Sequence, residues 1–134
     1  MLLKLDMEKY MYTKFLLKPF NHETFDCAHL AALYIRSEFD INTDGMDAVS
    51  REYDPIKAGE CIYKGMIENN MIEVTDNYKK GDVLIYYPNS IGGCCAVCVD
   101  DKIALIMGKK SMATHINRLP NIKYHLRHKF LMEK

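Results

Sequence analysis

The stretch of sequence that decides the fold is residues 26–39, DCAHLAALYIRSEF. Side chains at helical spacing form one apolar stripe on it: Cys27, Leu30, Ala31, Tyr34 and Ile35. Asp is a good N-cap residue, so Asp26 predicts a helix that begins at Cys27. Unpaired N–H groups and the helix dipole favour an anion at such a position, which generally lowers the pKa of a cysteine. Cys27 is therefore a candidate nucleophile that faces inward.

The residues around this helix predict further helices in the first half of the chain. Residues 7–18 predict a short helix that Pro19 ends, and residues 47–55 predict a weak one. Residues 56–71 predict a longer helix, although two glycines weaken it. Its apolar positions are Ala58, Ile62 and Met66. The helical part thus covers about residues 7–72.

The second half of the chain has the pattern of β-strands. Apolar, β-prone runs alternate with turn residues from Gly81-Asp82 onward. The predicted strands are residues 83–88, 94–99, 103–107 and 111–118, and residues 122–131 predict a last strand or an extended tail. Helices that precede an antiparallel meander indicate an α+β fold, and 134 residues suit a single domain, 1–134, with its sheet part at about 81–131.

Composition excludes several classes of function. The chain has 18 Lys and Arg and 18 Asp and Glu, and no basic stripe predicts a nucleic-acid partner. No apolar run approaches the roughly 18–20 residues that span a bilayer, so no membrane span is expected. Charged residues within the first ten positions argue against a signal peptide. An odd number of cysteines, five, argues against a disulfide framework and predicts reduced thiols.

Three features together resemble the NlpC-type cysteine peptidases, which are papain-like enzymes that cleave peptidoglycan stem peptides. They are Asp26-Cys27 at a helix start, Gly81-Asp82-Val83 at the start of a strand, and a second strand after a glycine turn. The end of the helix, Tyr34-Ile35-Arg36-Ser37-Glu38-Phe39, is similar to the branch of this family that is associated with phage tails. Pro19-Phe20 followed by Phe25-Asp26-Cys27 is similar to a branch of phage and prophage proteins. The resemblance implies a papain-like domain with N-terminal helices packed on a C-terminal sheet.

The chain departs from this family where the catalytic histidine is implied. That position, the first of the second strand, holds Cys94, which cannot shuttle protons as an imidazole does near neutral pH. None of residues 103–107, which the family pattern places at the third catalytic position, can orient a base. The resemblance therefore implies an inactive domain that serves as a structural or assembly component of a phage tail. Its partners would be other tail proteins, and it would join the virion after assembly in the host cytoplasm.

The alternative is an active peptidase that hydrolyses peptidoglycan peptides during phage entry, with Cys27 as the nucleophile and a displaced histidine as the base. His115, within a predicted strand, is the first candidate, and His22, in the loop before Asp26, is the second. His29 points away from Cys27, because two residues correspond to about 200° around a helix. His125 and His128 lie in a basic segment that predicts a solvated face or a partner contact. A third possibility is a phage protein directed at the host.

The cysteines of the second strand raise the alternative of a zinc site. Cys94, Cys95 and Cys98 would need Cys61 or His115 as a fourth ligand. Side chains alternate along a strand, so Cys94 and Cys98 face one way and Cys95 the other, whereas zinc ligands must converge. The sequence favours cysteines that act as small core residues, and it predicts neither a metal nor a cofactor.

Overall fold

The computed structural model describes residues 14–19, 27–46, 57–88 and 92–132. These residues form two α-helices and a six-stranded antiparallel sheet, which confirms the α+β prediction. The helices are α1 (Cys27–Phe39) and α2 (Ala58–Glu68). The strands are β1 (Met71–Glu73), β2 (Val83–Tyr86), β3 (Cys94–Cys98), β4 (Ile103–Met107), β5 (Ser111–His115) and β6 (Ile122–His128). Short 3₁₀ helices follow β5 at Ile116–Arg118 and β6 at Lys129–Leu131.

The strand order in the sheet is β1-β6-β2-β3-β4-β5. The predicted meander is confirmed for β2 to β5, whereas β6 returns to the other side of β2 and pairs with it. β1, at the edge beyond β6, lies in a region where the sequence predicted only the end of a helix. Three residues are too few to show the alternation by which a strand is recognised.

α1 packs on one face of the sheet and runs along β3. The first residue of α1, Cys27, lies near Cys94 at the start of β3. Farther along the helix, Tyr34 lies near Cys98 and Asp100 at the end of β3. Burial, and then the nearby Glu38, Asp100 and Cys98, raise the pKa of Tyr34. At the end of α1, a Cβ on Gly81 would come within 2.6 Å of the Phe39 ring. α1 therefore extends from the start of β3 to its end. The main core between α1, α2 and the sheet contains Leu30, Ile35, Ile62, Met66, Val97 and Leu105.

The other face of the sheet carries a smaller core. Two connecting segments, 74–80 and 116–121, cover it, and they contribute Tyr78, Ile116 and Leu119. Strand residues complete this second core: Leu84, Tyr86, Ala96, Cys98 and Ala104. Because both faces of β2 are buried, all four of its residues are apolar, as in a continuous buried strand.

The segment 14–19 attaches to β5. Ser111 Oγ donates to the Phe15 carbonyl at 2.6 Å, and Leu17 N donates to the Ser111 carbonyl at 2.9 Å. The predicted helix at 7–18 does not reach residue 18, because Leu17 has a positive φ of 62° and Pro19 forms a bridge with Lys110. Residues 7–13 of that prediction lie outside the described residues. The predicted helix at 47–55 lies outside the described residues.

The remaining boundaries follow the predictions closely. α2 keeps Ala58, Ile62 and Met66 buried, as the spacing predicted. β5 ends at His115, whereas the sequence extended it to Arg118, because the chain there forms a 3₁₀ turn. Neither of the described helices has the length and apolar character that a membrane span requires.

Candidate functional site

The candidate site is the end of the molecule where α1 and β3 both begin, which we call the thiol end. It is formed by Cys27, Cys94, Cys95 and Tyr86. Cys27, half-buried, packs against the main core. Burial and, to a smaller extent, the neighbouring Cys27 raise the pKa of Cys94, a hydrogen bond with Tyr86 partly opposes them, and the resulting pKa is about 11. Cys94 is therefore a neutral thiol at pH 7 and a poor proton acceptor.

The two cysteines of this end that lie on β3 face opposite sides of the sheet. Cys95 belongs to the core under α1, whereas Cys94 packs against the smaller core beside Tyr86. This alternation is the one that the sequence predicted. Among the described residues, no group of three His, Cys, Asp or Glu side chains could hold a metal ion.

The structure does not bring His115 and Cys27 together. His115 pairs with Ile103, and Val99 N donates to the Ile103 carbonyl, so His115 lies level with the end of β3. Cys27 lies at the start of β3, roughly 13 Å away along the strand direction. His115 is also exposed on an edge strand. His22, the second candidate base, and Asp26, the predicted N-cap, lie outside the described residues.

The prediction of a solvated face at residues 123–129 is wrong for Arg127 and His128, whereas Lys123 and Lys129 are exposed. Arg127 is 4% exposed and His128 is fully buried, and both lie on β6 inside the sheet. His128 Nδ1 accepts from Phe130 N at 3.2 Å, so its Nε2 carries a proton, which has no acceptor among the described residues. Burial lowers the pKa of His128. The sequence predicted a strand here, but it did not show that Arg127 and His128 are buried, because the inward and outward residues of the strand differ little in polarity.

Sequence reasoning missed the most developed polar arrangement in the structure, a buried ion network centred on Asp82. The Arg127 guanidinium donates to both Asp82 oxygens, from Nε at 2.7 Å and from NH2 at 2.8 Å. It also donates to both Asp76 oxygens at 2.9 Å. His125 Nε2 lies 2.5 Å from Asp82 Oδ2, and Lys79 N donates to the same oxygen at 2.9 Å. Burial favours the neutral acid, but these bonds outweigh it and lower the pKa of Asp82.

The Gly81-Asp82-Val83 motif thus has a structural role in this chain. Gly81 has a φ of 91°, and its N–H donates to the Cys98 carbonyl at 2.8 Å. A side chain there would collide with Phe39 at the end of α1. The sequence contained one signal of the buried ion network, the polar residue Asp82 directly after this glycine. Its partners could not be read because they lie on β6, 43 and 45 residues away.

A second carboxylate joins α2 to the sheet near the thiol end. Hydroxyl groups of Tyr87 and Tyr124 donate to Glu60, the latter at 2.7 Å, and these bonds lower its pKa. Gly59 N donates to the Gly92 carbonyl at 2.8 Å. These contacts hold the start of α2 against the segment that enters β3.

Known proteins add no assignment to this geometry. Comparison of the chain with protein-family models, curated proteins and solved structures finds no match. The fold and site therefore define the class as an α+β domain with a helix-start cysteine beside a sheet of six described strands.

Proposed function

We propose that this chain is a catalytically inactive NlpC-like domain that works by binding, as a structural or assembly component of a phage tail. The observation that carries the proposal is Cys94 at the start of β3, beside Cys27. The resemblance implies a catalytic base at that position, and the side chain there is a thiol with a pKa of about 11. Such a group holds its proton at neutral pH and cannot accept one from a nucleophile.

The arrangement of the neighbouring strand supports the same proposal. β4 is IALIM, so none of its side chains can orient a base. His115, His125 and His128 lie in other parts of the sheet, and His125 is bonded to Asp82. The resemblance to tail-associated proteins supplies the biological setting. The folded domain would then serve as a rigid surface for other tail proteins.

A first experiment tests the absence of catalysis. Purified protein is incubated with peptidoglycan stem peptides, and cleavage is followed by mass spectrometry. We expect no cleavage, and we expect Cys27 to react with iodoacetamide at the rate of an ordinary thiol. A Cys27→Ser variant assigns the reactive position, and Cys61→Ser serves as the control from α2. Cleavage that disappears in Cys27→Ser would establish the active peptidase and refute the proposal.

A second experiment introduces the missing imidazole. If Cys94 occupies the base position, Cys94→His brings an imidazole beside Cys27 and increases its rate of reaction with iodoacetamide, because an imidazolium stabilises the thiolate. The matched control is Thr114→His, since Thr114 is also half-buried but lies on β5. An equal rate in both variants would contradict the assignment of Cys94 to the base position.

The assembly role is tested in the phage. Deletion of the chain should give incomplete tails in electron micrographs, and a Cys27→Ser version should restore them, because binding does not need the nucleophile. Intact, infectious particles without the chain would refute a role in the tail. Recovery of the chain with host proteins from infected cells, and not with particles, would instead indicate a host-directed protein.

A further inference from the structure

β5 lies at one edge of the described sheet, and its backbone groups alternate in direction. Ile116 N donates to the Lys102 carbonyl at 2.7 Å, so this bond points towards β4. Hydrogen-bonded and non-hydrogen-bonded pairs alternate along an antiparallel ladder. The register of β4 and β5 therefore directs the N–H groups of Ser111, Ala113 and His115 away from β4, towards the outside of the sheet.

Ser111 already has a strand partner on this outer side. Its N–H donates to the Lys18 carbonyl at 2.9 Å, and its own carbonyl accepts from Leu17 N at 2.9 Å. The bridge between Pro19 and Lys110 continues the same antiparallel pairing. The outer side of β5 thus accepts an added strand, and the chain itself supplies a short one at Ser111.

Beyond Ser111, residues 112–115 form what we call the open edge. Within the described part of the chain, no residue bonds to the N–H or the carbonyl of Ala113, or to the N–H of His115. Unpaired N–H and C=O groups along a sheet edge are a template for an extended peptide. Met112 is 45% exposed and offers apolar surface to the side chains of such a peptide. The open edge therefore has the backbone groups that strand addition needs.

The charge around the open edge favours an acidic partner. Residues 102–118 contain no acid and have exposed cations at both ends of β5: Lys102, Lys109, Lys110 and Arg118. Lys18, on the segment paired with Ser111, adds to this charge. The preceding acids, Asp100 and Asp101, are fewer than these cations, so the net charge of the region is positive.

The same charge argues against a second copy of this chain at the open edge. Pairing of two β5 edges would bring their lysines together, and like charges on paired strands repel. An acidic strand is attracted by these lysines and also completes the backbone ladder. A nucleic acid would be attracted by the charge, but it cannot form a β-ladder with the Ala113 backbone.

We propose that the open edge of β5 binds an extended acidic segment of a partner protein by strand addition. Ala113, through its N–H and carbonyl, and His115, through its N–H, hydrogen-bond to the backbone of that segment. The cations at both ends of β5 attract its carboxylates. This interaction surface goes beyond the function proposed above, and it depends neither on Cys27 nor on a role in a phage tail.

The test uses the full chain labelled with ¹⁵N. The probe is the acetylated and amidated peptide Glu-Val-Thr-Val-Glu-Val-Glu, and NMR follows the amide resonances and their hydrogen exchange. We expect the amide protons of Ala113 and His115 to shift and to exchange more slowly when the peptide is bound. A counterpart with Lys in place of each Glu should bind about tenfold more weakly or less. A counterpart with Pro at its centre should also bind less, because proline removes a ladder donor.

Variants separate the backbone from the charge. Ala113→Pro should abolish binding and still fold, because the N–H that it removes points away from β4. If this variant does not fold, Lys109→Glu with Lys110→Glu keeps the backbone and should weaken binding by about tenfold. The matched control is Lys57→Glu with Lys64→Glu, which makes the same change of charge at exposed positions 57 and 64 and should affect binding much less.

Several results would overturn the proposal. One is equal binding of the acidic and basic peptides, and another is binding that leaves the amides of Ala113 and His115 unchanged. Binding of a thymidine decamer in place of the acidic peptide would indicate a nucleic-acid surface and refute strand addition. A dimer of the chain alone in sedimentation, lost in Ala113→Pro, would assign the open edge to a second copy and would also refute the proposal.

Discussion

Replacement of Arg127 by Met should cause a large loss of stability, because it leaves the fully buried Asp82 without its main cation. The guanidinium supplies two charge-assisted hydrogen bonds to Asp82, at 2.7 and 2.8 Å. Removal of one partner from a buried ion pair costs about 3–5 kcal/mol. His125 and the Lys79 N–H still bond to Asp82, so we expect the lower end, about 3 kcal/mol.

Urea unfolding followed by circular dichroism measures this loss. With an m-value of about 2 kcal/mol/M for a chain of this size, the midpoint should fall by about 1.5 M. The double variant Asp82→Asn with Arg127→Met should lose less than the sum of the two single variants, because it leaves no uncompensated buried carboxylate.

Asp76→Asn is the matched control on the same guanidinium. The Asp76 side chain is half exposed, whereas that of Asp82 is fully buried, so the control should be much less destabilised than Arg127→Met. The reasoning fails if both variants unfold at the same urea concentration. It also fails if the midpoint of Arg127→Met equals that of the wild type.

Three further predictions concern other parts of the fold. Burial lowers the pKa of His128 below its ordinary value of 6.5. The contribution of neutral His128 to stability is therefore complete above pH 6.5 and is lost as the pH falls below that value. His128→Phe should reduce the difference between the unfolding free energies at about pH 7.5 and 5.5. Ser111→Ala should cost about 1–2 kcal/mol in urea unfolding and speed proteolysis within residues 14–19, since it removes a buried hydrogen bond; unchanged cleavage would contradict this. Gly93→Ala should lower the thermal midpoint, because the glycine has a φ of 115° and a Cβ would lie 2.6 Å from Gly59 Cα; an unchanged midpoint would show that α2 can move away.

Much of the secondary structure could be predicted because its signals are local. The helical spacing of residues 27–39 and the apolar run at 83–86 are contained in short windows, and the structure has α1 and β2 there. The failures also have local causes. The three residues of β1 are too few for a pattern, and the positive φ of Leu17 interrupts what the spacing predicted as a helix.

The candidate site could be predicted only in part. A cysteine at a helix start was visible in the sequence, and so was the alternation that separates Cys94 from Cys95. The distance of His115 from Cys27 could not be predicted, because it depends on which end of β5 lies nearer the start of α1. That placement follows from the register of the strands, which long-range pairing decides. The assignment of Cys94 to a base position remains a prediction.

The sequence by itself determined the class of fold and the inward-facing cysteine, because hydrophobic periodicity and helix-start chemistry act over a few residues. Only the tertiary structure decided that Asp82 and Arg127, 45 residues apart, share a buried ion network, and that His125 joins it through Asp82. The physical reason is that burial and partnership arise when β6 inserts between β1 and β2. Charged residues that a linear pattern places in solvent are then desolvated, and they are stable there only because they meet partners of opposite charge.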